Sequence, residues 1–158
     1  MRTLIIYGLL ALSVCFATGC SEELNPTPYT LSRHVSGETS KTWKIELFEY
    51  ALNDTVRNKF MEACLQDDRF KFYANTERLY ETTPGRNLCF EDEPALTAST
   101  WTFTNANANL TMAMPIFGEG TIAFFVRELA DKKMVLELFL DAENKESYRI
   151  HFEMTDEE

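Results

Sequence analysis

The side chains that could do chemistry in this chain are 25 carboxylates, two histidines and four cysteines. The sequence contains no Gly-x-Ser-x-Gly motif, no phosphate-binding loop and no nucleophile beside a base in a recognisable pattern. His34 and His151 are not spaced to share a zinc site with nearby acids. Paired carboxylates arise by chance in a chain this acidic. We therefore expect no enzymatic activity, no metal site and no cofactor.

Five of the acids flank two of the cysteines. They are Asp67, Asp68, Glu91, Asp92 and Glu93. Such oxygen ligands could hold calcium, but their spacing is not that of an EF-hand loop, and a solvated acidic rim is the expectation. The net charge of −10 excludes binding to nucleic acid or to an anionic membrane through charge.

The N-terminus has the pattern of a secretory signal peptide. Arg2 is followed by an apolar run from Leu4 to Phe16 and then by small residues up to Gly19. The apolar run is 13 residues long, which is too short for a helix to span a bilayer. The pattern predicts that residues 1–19 are removed.

The cysteine directly after Gly19 makes this signal more specific. Small residues followed by Cys20 resemble the bacterial lipobox, in which the cysteine becomes the lipidated N-terminus. The resemblance implies a protein anchored through lipid at Cys20; the alternative is an ordinary cleaved signal. Cys15 leaves with the signal, so Cys64 and Cys89 remain as one pair in an oxidising compartment. We expect them to form a disulfide, the alternative being two free thiols.

Alternating apolar and polar residues recur through the rest of the chain. This period-2 pattern predicts eight strands, most with one apolar face. The strands include residues 43–47, 70–72, 78–82, 101–103, 110–114, 122–126, 134–140 and 148–154. Eight antiparallel strands with one apolar face close naturally into an up-and-down barrel. The predicted fold is therefore an all-β, eight-stranded antiparallel barrel spanning residues 41–158.

One short helix is predicted between strands 1 and 2. Asp54 could cap it, and Val56, Phe60 and Cys64 recur at four-residue intervals up to Leu65. Residues 20–40 are polar and rich in Pro, Ser and Thr, and they predict a flexible tether. The tight turns should share one end of the barrel and the long connections the other, where Cys64 and Cys89 would meet.

Short motifs resemble lipocalin-like domains in lipoproteins of the Bacteroidota. They are the run from Val35 to Ile45, the run from Cys64 to Phe72, and Trp101-Thr102-Phe103. The resemblance covers residues 35–154. It implies a lipocalin-like barrel held at the outer membrane.

Two further motifs belong to the same resemblance. Ser21-Glu22-Glu23 looks like the acidic export signal of surface-exposed lipoproteins, or is merely a solvated stretch of the tether. Asp54-Thr55-Val56 is similar to an O-glycosylation acceptor, with Thr55 as the modified residue; a helix-capping role for Asp54 is the alternative.

Inward-facing aromatic residues and a methionine are the candidate ligand-binding residues. They are Trp43, Phe70, Phe72, Trp101, Phe103, Met112 and Phe124. They either line a cavity for an apolar ligand or fill a small barrel. The leading hypothesis is a binding protein that admits a small apolar ligand at the long-loop end. The alternative is an interaction module of a cell-surface complex, with a packed barrel that docks a protein partner through its acidic loops.

Overall fold

A computed structural model describes residues 31–118, 120–141, 143 and 145–156. The predicted signal peptide, Cys20 and the tether up to residue 30 lie outside the described residues. The described chain is an all-β fold that forms a nearly closed antiparallel barrel. It contains ten strands where eight were predicted, because Thr55–Phe60 is a strand in the region predicted as a helix, and a separate strand, Thr97–Thr100, precedes the one predicted at residues 101–103.

The elements follow in chain order. Helix α1 spans Leu31–Ser36, and the strands are β1 (Ser40–Leu52), β2 (Thr55–Phe60), β3 (Arg69–Tyr73), β4 (Leu79–Thr83), β5 (Thr97–Thr100), β6 (Thr102–Thr104), β7 (Asn109–Ala113), β8 (Thr121–Leu129), β9 (Lys133–Asp141) and β10 (Glu146–Thr155). The sheet order is β5-β4-β3-β1-β10-β9-β8-β7-β6, with β2 also paired to β1. Since β5 and β6 are consecutive in the chain, the two ends of the sheet meet at Trp101.

The predicted helix between strands 1 and 2 is wrong. Thr55–Phe60 is a strand that folds back on β1, with Phe48 opposite Phe60 and Leu52 opposite Thr55. Asn53 and Asp54 both have positive φ angles, as a two-residue hairpin turn requires. Within the range predicted as a helix, the residues that are helical are Ala63–Leu65, which form a single turn of 3-10 helix.

The short helix instead precedes β1, in a stretch that was predicted to be tether. Val35 is fully buried at the end of α1, and its carbonyl accepts a 2.8 Å hydrogen bond from Trp43 Nε1. Gly37 ends the helix with a φ of +65°, and its N–H donates to the Arg33 carbonyl. The helix packs against the end of the barrel that carries the β3–β4 and β8–β9 turns.

A β-bulge near Glu46 changes which side chains of β1 face inward. The pairing of β1 with β10 shifts between Ile45 and Leu47, so that Phe48 lies opposite the buried Ile150 and Leu47 lies opposite His151. Before the bulge the inward residues are Trp43 and Ile45. The alternation had predicted Leu47 as the next inward residue, and the bulge replaces it with Phe48.

A buried carboxylate, that of Glu137, lies on the outward face of the sheet, where neighbouring side chains cover it. Glu137 is fully buried on β9, and it accepts hydrogen bonds from Ser147 at 2.7 Å and from Arg149 at 2.8 Å, as well as from Arg127. Burial would raise the pKa of Glu137, but these donors outweigh burial and hold it below the ordinary value. Nearby, His151 Nε2 lies 3.2 Å from the Glu49 carboxylate.

Within the described residues, no helix combines the length and the apolar character needed to cross a membrane.

Candidate functional site

An apolar groove of about 560 Å³ opens at the end of the barrel that carries the long connections. It lies between the β1–β2 hairpin, the disulfide loops, β10 and the connection from β7 to β8. Its lining residues are Phe48, Phe60, Glu62, Cys64, Leu65, Cys89, Phe90, Pro115, Ile116, Phe117, Gly118 and Tyr148. A pocket of this size, walled by aromatic and aliphatic groups, suits a small apolar ligand.

Four aromatic rings form the walls of the groove. Phe48 and Phe60 stack across the hairpin with centroids 5.5 Å apart, and Phe60 meets Tyr148 edge to face at 6.0 Å. Phe117 stacks against Tyr148 at 6.3 Å. The rings hold one another at the spacings that aromatic pairs prefer, so the groove has a preformed shape.

The Cys64–Cys89 disulfide forms one side of the groove. The two Cα atoms are 5.0 Å apart, and the bond joins the β2–β3 connection to the β4–β5 connection. The predicted pairing is therefore confirmed. The two connections lie at the same end of the barrel, as the order of short and long connections indicated.

Three of the acids beside the cysteines accept hydrogen bonds from the backbone of the disulfide loops. Asp67 accepts a 2.7 Å hydrogen bond from the Arg86 N–H, and Asp68 accepts one of 3.1 Å from the Gly85 N–H. Glu93 accepts from the Cys89 N–H at 2.7 Å. Any side chain at position 85 would collide with the Asp67 carboxylate, so this contact requires glycine. Glu91 and Asp92 are exposed, as a solvated rim predicts.

No cluster of His, Cys, Asp or Glu in the described part of the chain is arranged to hold a metal ion. His34 lies on α1, where its Nδ1 is 3.0 Å from the Asp131 carboxylate. His151 is on the outer wall of β10 and does not line the groove.

Asp68 is buried, unlike the solvated acids expected here. Burial raises its pKa to about 6, although the Gly85 N–H favours the ionised form. Between pH 3.8 and about 6 the folded state keeps a proton that the unfolded state has released. The contribution of Asp68 to the free energy of unfolding therefore falls as the pH rises through this window and is constant above it.

We predict that Asp68→Asn removes the fall in the free energy of unfolding that the ionisation of Asp68 causes in the natural chain. The amide oxygen can still accept from Gly85, but no charge is buried, so the variant should gain stability over the natural chain as pH rises from 4 to 6.5. Urea unfolding midpoints across this range measure the difference. Asp67→Asn is the matched control, because it removes the same charge from the neighbouring, partly exposed carboxylate. Parallel pH profiles for Asp68→Asn and the natural chain would contradict the prediction.

The seven residues predicted as cavity lining form the packed core below the groove. Trp43, Phe70, Phe72, Trp101, Met112 and Phe124 are all buried, and Phe103 packs against them. Phe72 contacts Tyr80 and Trp101, and Trp101 contacts Phe103, with ring centroids 4.7 to 6.0 Å apart. None of the seven is among the lining residues of the groove. The alternation located the inward face correctly but not the place where it opens to solvent.

Thr55 is exposed at the start of β2, next to the hairpin turn. Asp54, in the β1–β2 turn, makes an ion pair at 3.0 Å with Lys145 of the adjacent β9–β10 turn and does not cap a helix. Glycosylation of Thr55 remains a prediction.

No protein-family model matches this chain, and a search of the curated proteins finds no match. What can be stated of its class is the fold itself: an all-β chain in a nearly closed antiparallel barrel, with an apolar groove beside a disulfide at one end.

Proposed function

We propose that this chain is a non-enzymatic, lipocalin-like binding protein that takes a small apolar ligand in the groove at its disulfide end. The observation that carries the proposal is the groove itself, with its preformed walls of Phe48, Phe60, Phe117 and Tyr148. The opposite end of the barrel is covered by α1, and the interior between the two ends is packed. A ligand would therefore bind at the mouth and not deep in the barrel.

The proposed location follows from the N-terminal motifs. Cleavage after Gly19 and lipid attachment at Cys20 would anchor the protein at the outer membrane, facing the periplasm or the cell surface. Helix α1 lies at the end of the barrel opposite the groove, so the chain enters the fold at the closed end. The groove would then point away from the membrane. Mass spectrometry of the purified full-length protein tests the anchor, and an unmodified Cys20 would count against it.

Binding can be tested with N-phenyl-1-naphthylamine, a neutral apolar probe whose fluorescence rises on leaving water. We predict that Phe117→Ala weakens probe binding about tenfold, because it removes one apolar wall from contact with the probe. Phe60→Ala should act in the same direction. The control is Leu88→Ser with Leu96→Ser, two exposed residues of the disulfide loop that do not line the groove.

Circular dichroism establishes that each variant is folded before binding is compared. Saturable binding that both groove variants weaken and the loop variant retains supports the proposal. Equal binding of the probe by all four proteins, or no binding by the natural chain, would contradict the proposal that the groove binds an apolar ligand.

A second candidate function is docking to a protein partner. The loop between β4 and β5 exposes three apolar side chains, Leu88, Phe90 and Leu96, beside acidic residues. This mixture suits a partner with a basic rim around an apolar centre. The same variants separate the two candidates, because Leu88→Ser with Leu96→Ser should abolish docking while leaving the groove intact.

A further inference from the structure

A second hollow adjoins the groove and extends it sideways. It has a volume of about 620 Å³ and lies beside the place where β5 separates from β7. Phe90, Pro115 and Gly118 line both hollows, so the two are lobes of one cleft that meet at the Phe90 ring. Phe90 is 46% exposed, and it belongs to the disulfide loop and not to a strand. The cleft is thus longer than the groove alone.

The two lobes differ in the chemistry of their walls. The first lobe is lined mainly by aromatic rings and the disulfide. The second lobe is also largely apolar, but its lining adds Asp92 and three hydroxyl-bearing residues, Thr97, Ser99 and Thr121. An occupant that satisfied both lobes would have an apolar body at one end and a polar head at the other.

The charges of the lining have a single sign. Glu62 is the acidic residue that lines the first lobe and Asp92 the one that lines the second, and no Lys or Arg lines either lobe among the described residues. Neither carboxylate is paired with a cation within the described part of the chain. An anionic head group would lose its hydration and meet only negative charge, whereas a cationic one would gain a partner.

We propose that the cleft binds an elongated cationic amphiphile, with its apolar body in the first lobe and its ammonium group beside Asp92 in the second. This inference rests on the proposed function and adds the length of the ligand and the sign of its charge. It distinguishes the protein from a carrier of free fatty acids, whose carboxylate the cleft would repel.

Three ligands with the same C12 tail test the sign of the charge: dodecylammonium, dodecanol and dodecanoate. Each is used below its micelle concentration at pH 7.5 to displace N-phenyl-1-naphthylamine from the full chain. We expect dodecylammonium to bind about fivefold more tightly than dodecanol, the size of effect that a partly exposed ion pair gives, and dodecanoate to bind most weakly. Raising the salt concentration should reduce the preference.

Two variants with the same change in charge separate a local effect from the general acidity of the chain. Asp92→Asn should remove the advantage of dodecylammonium over dodecanol. Glu91→Gln should keep it, because Glu91 is exposed and does not line either lobe. Equal affinities for the three head groups, or an equal loss in both variants, would overturn the inference.

The outcomes also separate this inference from the function on which it rests. If dodecanol binds and Phe117→Ala weakens it, but the head group makes no difference, the apolar site stands and the proposed charge preference fails. If no C12 ligand displaces the probe in a way that depends on Phe117, the proposed function itself fails.

Discussion

Replacing Phe72 by alanine should lower the free energy of unfolding by about 3–5 kcal/mol. The Phe72 side chain is fully buried on β3, with the Tyr80 ring 4.7 Å away and the Trp101 ring 5.8 Å away, centroid to centroid. These neighbours come from β4 and from the junction of β5 and β6, so they cannot close together around the missing ring. The loss therefore combines lost apolar burial with an unfilled cavity.

Urea unfolding followed by tryptophan fluorescence measures the effect of Phe72→Ala. Phe125→Ala is the matched control, because Phe125 is 41% exposed on the outer wall, where its ring contacts that of Phe139. The control should lose less than about 1 kcal/mol. Similar losses for the two variants would mean that the interior around Phe72 is not packed as described, and would reopen the possibility of a deep cavity.

Removing the disulfide should lower the free energy of unfolding by about 3–4 kcal/mol. Cys64 and Cys89 are 25 positions apart, and in the chain-entropy model a loop of this length restricts the unfolded chain by about that amount. The double variant Cys64→Ser with Cys89→Ser tests the prediction by urea unfolding. The hydrogen bonds from Gly85 and Arg86 to Asp68 and Asp67 would remain, so the barrel should still fold.

A reducing agent provides the control for the disulfide. It should destabilise the natural chain by the same amount and leave the double variant unchanged. If reduction and the double substitution have no effect on unfolding, the bond either does not form or does not restrict the unfolded chain. Because the disulfide also walls the groove, N-phenyl-1-naphthylamine binding should weaken together with stability in the double variant.

The fold could be predicted from the sequence wherever a strand keeps its alternation without interruption. The inward residues of β7 and β9, such as Met112 and Leu136, follow the period of two and are buried. The Cys64–Cys89 pair was also predictable, because Cys15 and Cys20 were assigned to the signal peptide and the lipid, and the order of short and long connections allowed the remaining two cysteines to meet. The alternation is a local signal, and the tertiary structure does not override it at Met112 and Leu136.

The hairpin of β1 and β2 could not be predicted in the same way. Val56 and Phe60 are four residues apart, and this spacing fits both a helix, which repeats near 3.6, and a strand, which repeats at two. The pairing of Thr55–Phe60 with the second half of β1 decides between them, and that pairing is a tertiary contact. The positive φ angles of Asn53 and Asp54 are the local signal that an Asn-Asp turn offers.

The groove was missed for related reasons. Phe48 faces inward because the bulge near Glu46 shifts the alternation by one residue, and the adjacent apolar pair Leu47-Phe48 does not itself show which of the two faces inward. Phe60 was assigned to a helix. Phe117 lies in a 3-10 turn between β7 and β8, where no periodicity indicates which side chain points inward. Only the assembled barrel brings these three residues together with Tyr148.

The pairing of β1 with β10 has a consequence for how the chain can fold. Thr42 lies opposite Thr155, 113 positions later, so the pairing of β1 on this edge cannot be completed until β10 has been made. During synthesis or export β1 has its β2 and β3 neighbours early, while its other edge stays open until β10 is available. Cys64 and Cys89 are both available well before that moment, so the disulfide can form in a chain whose barrel is still open. Closure then becomes the final event, and truncation of even one strand at the C-terminus would leave a central strand, not a peripheral one, unpaired.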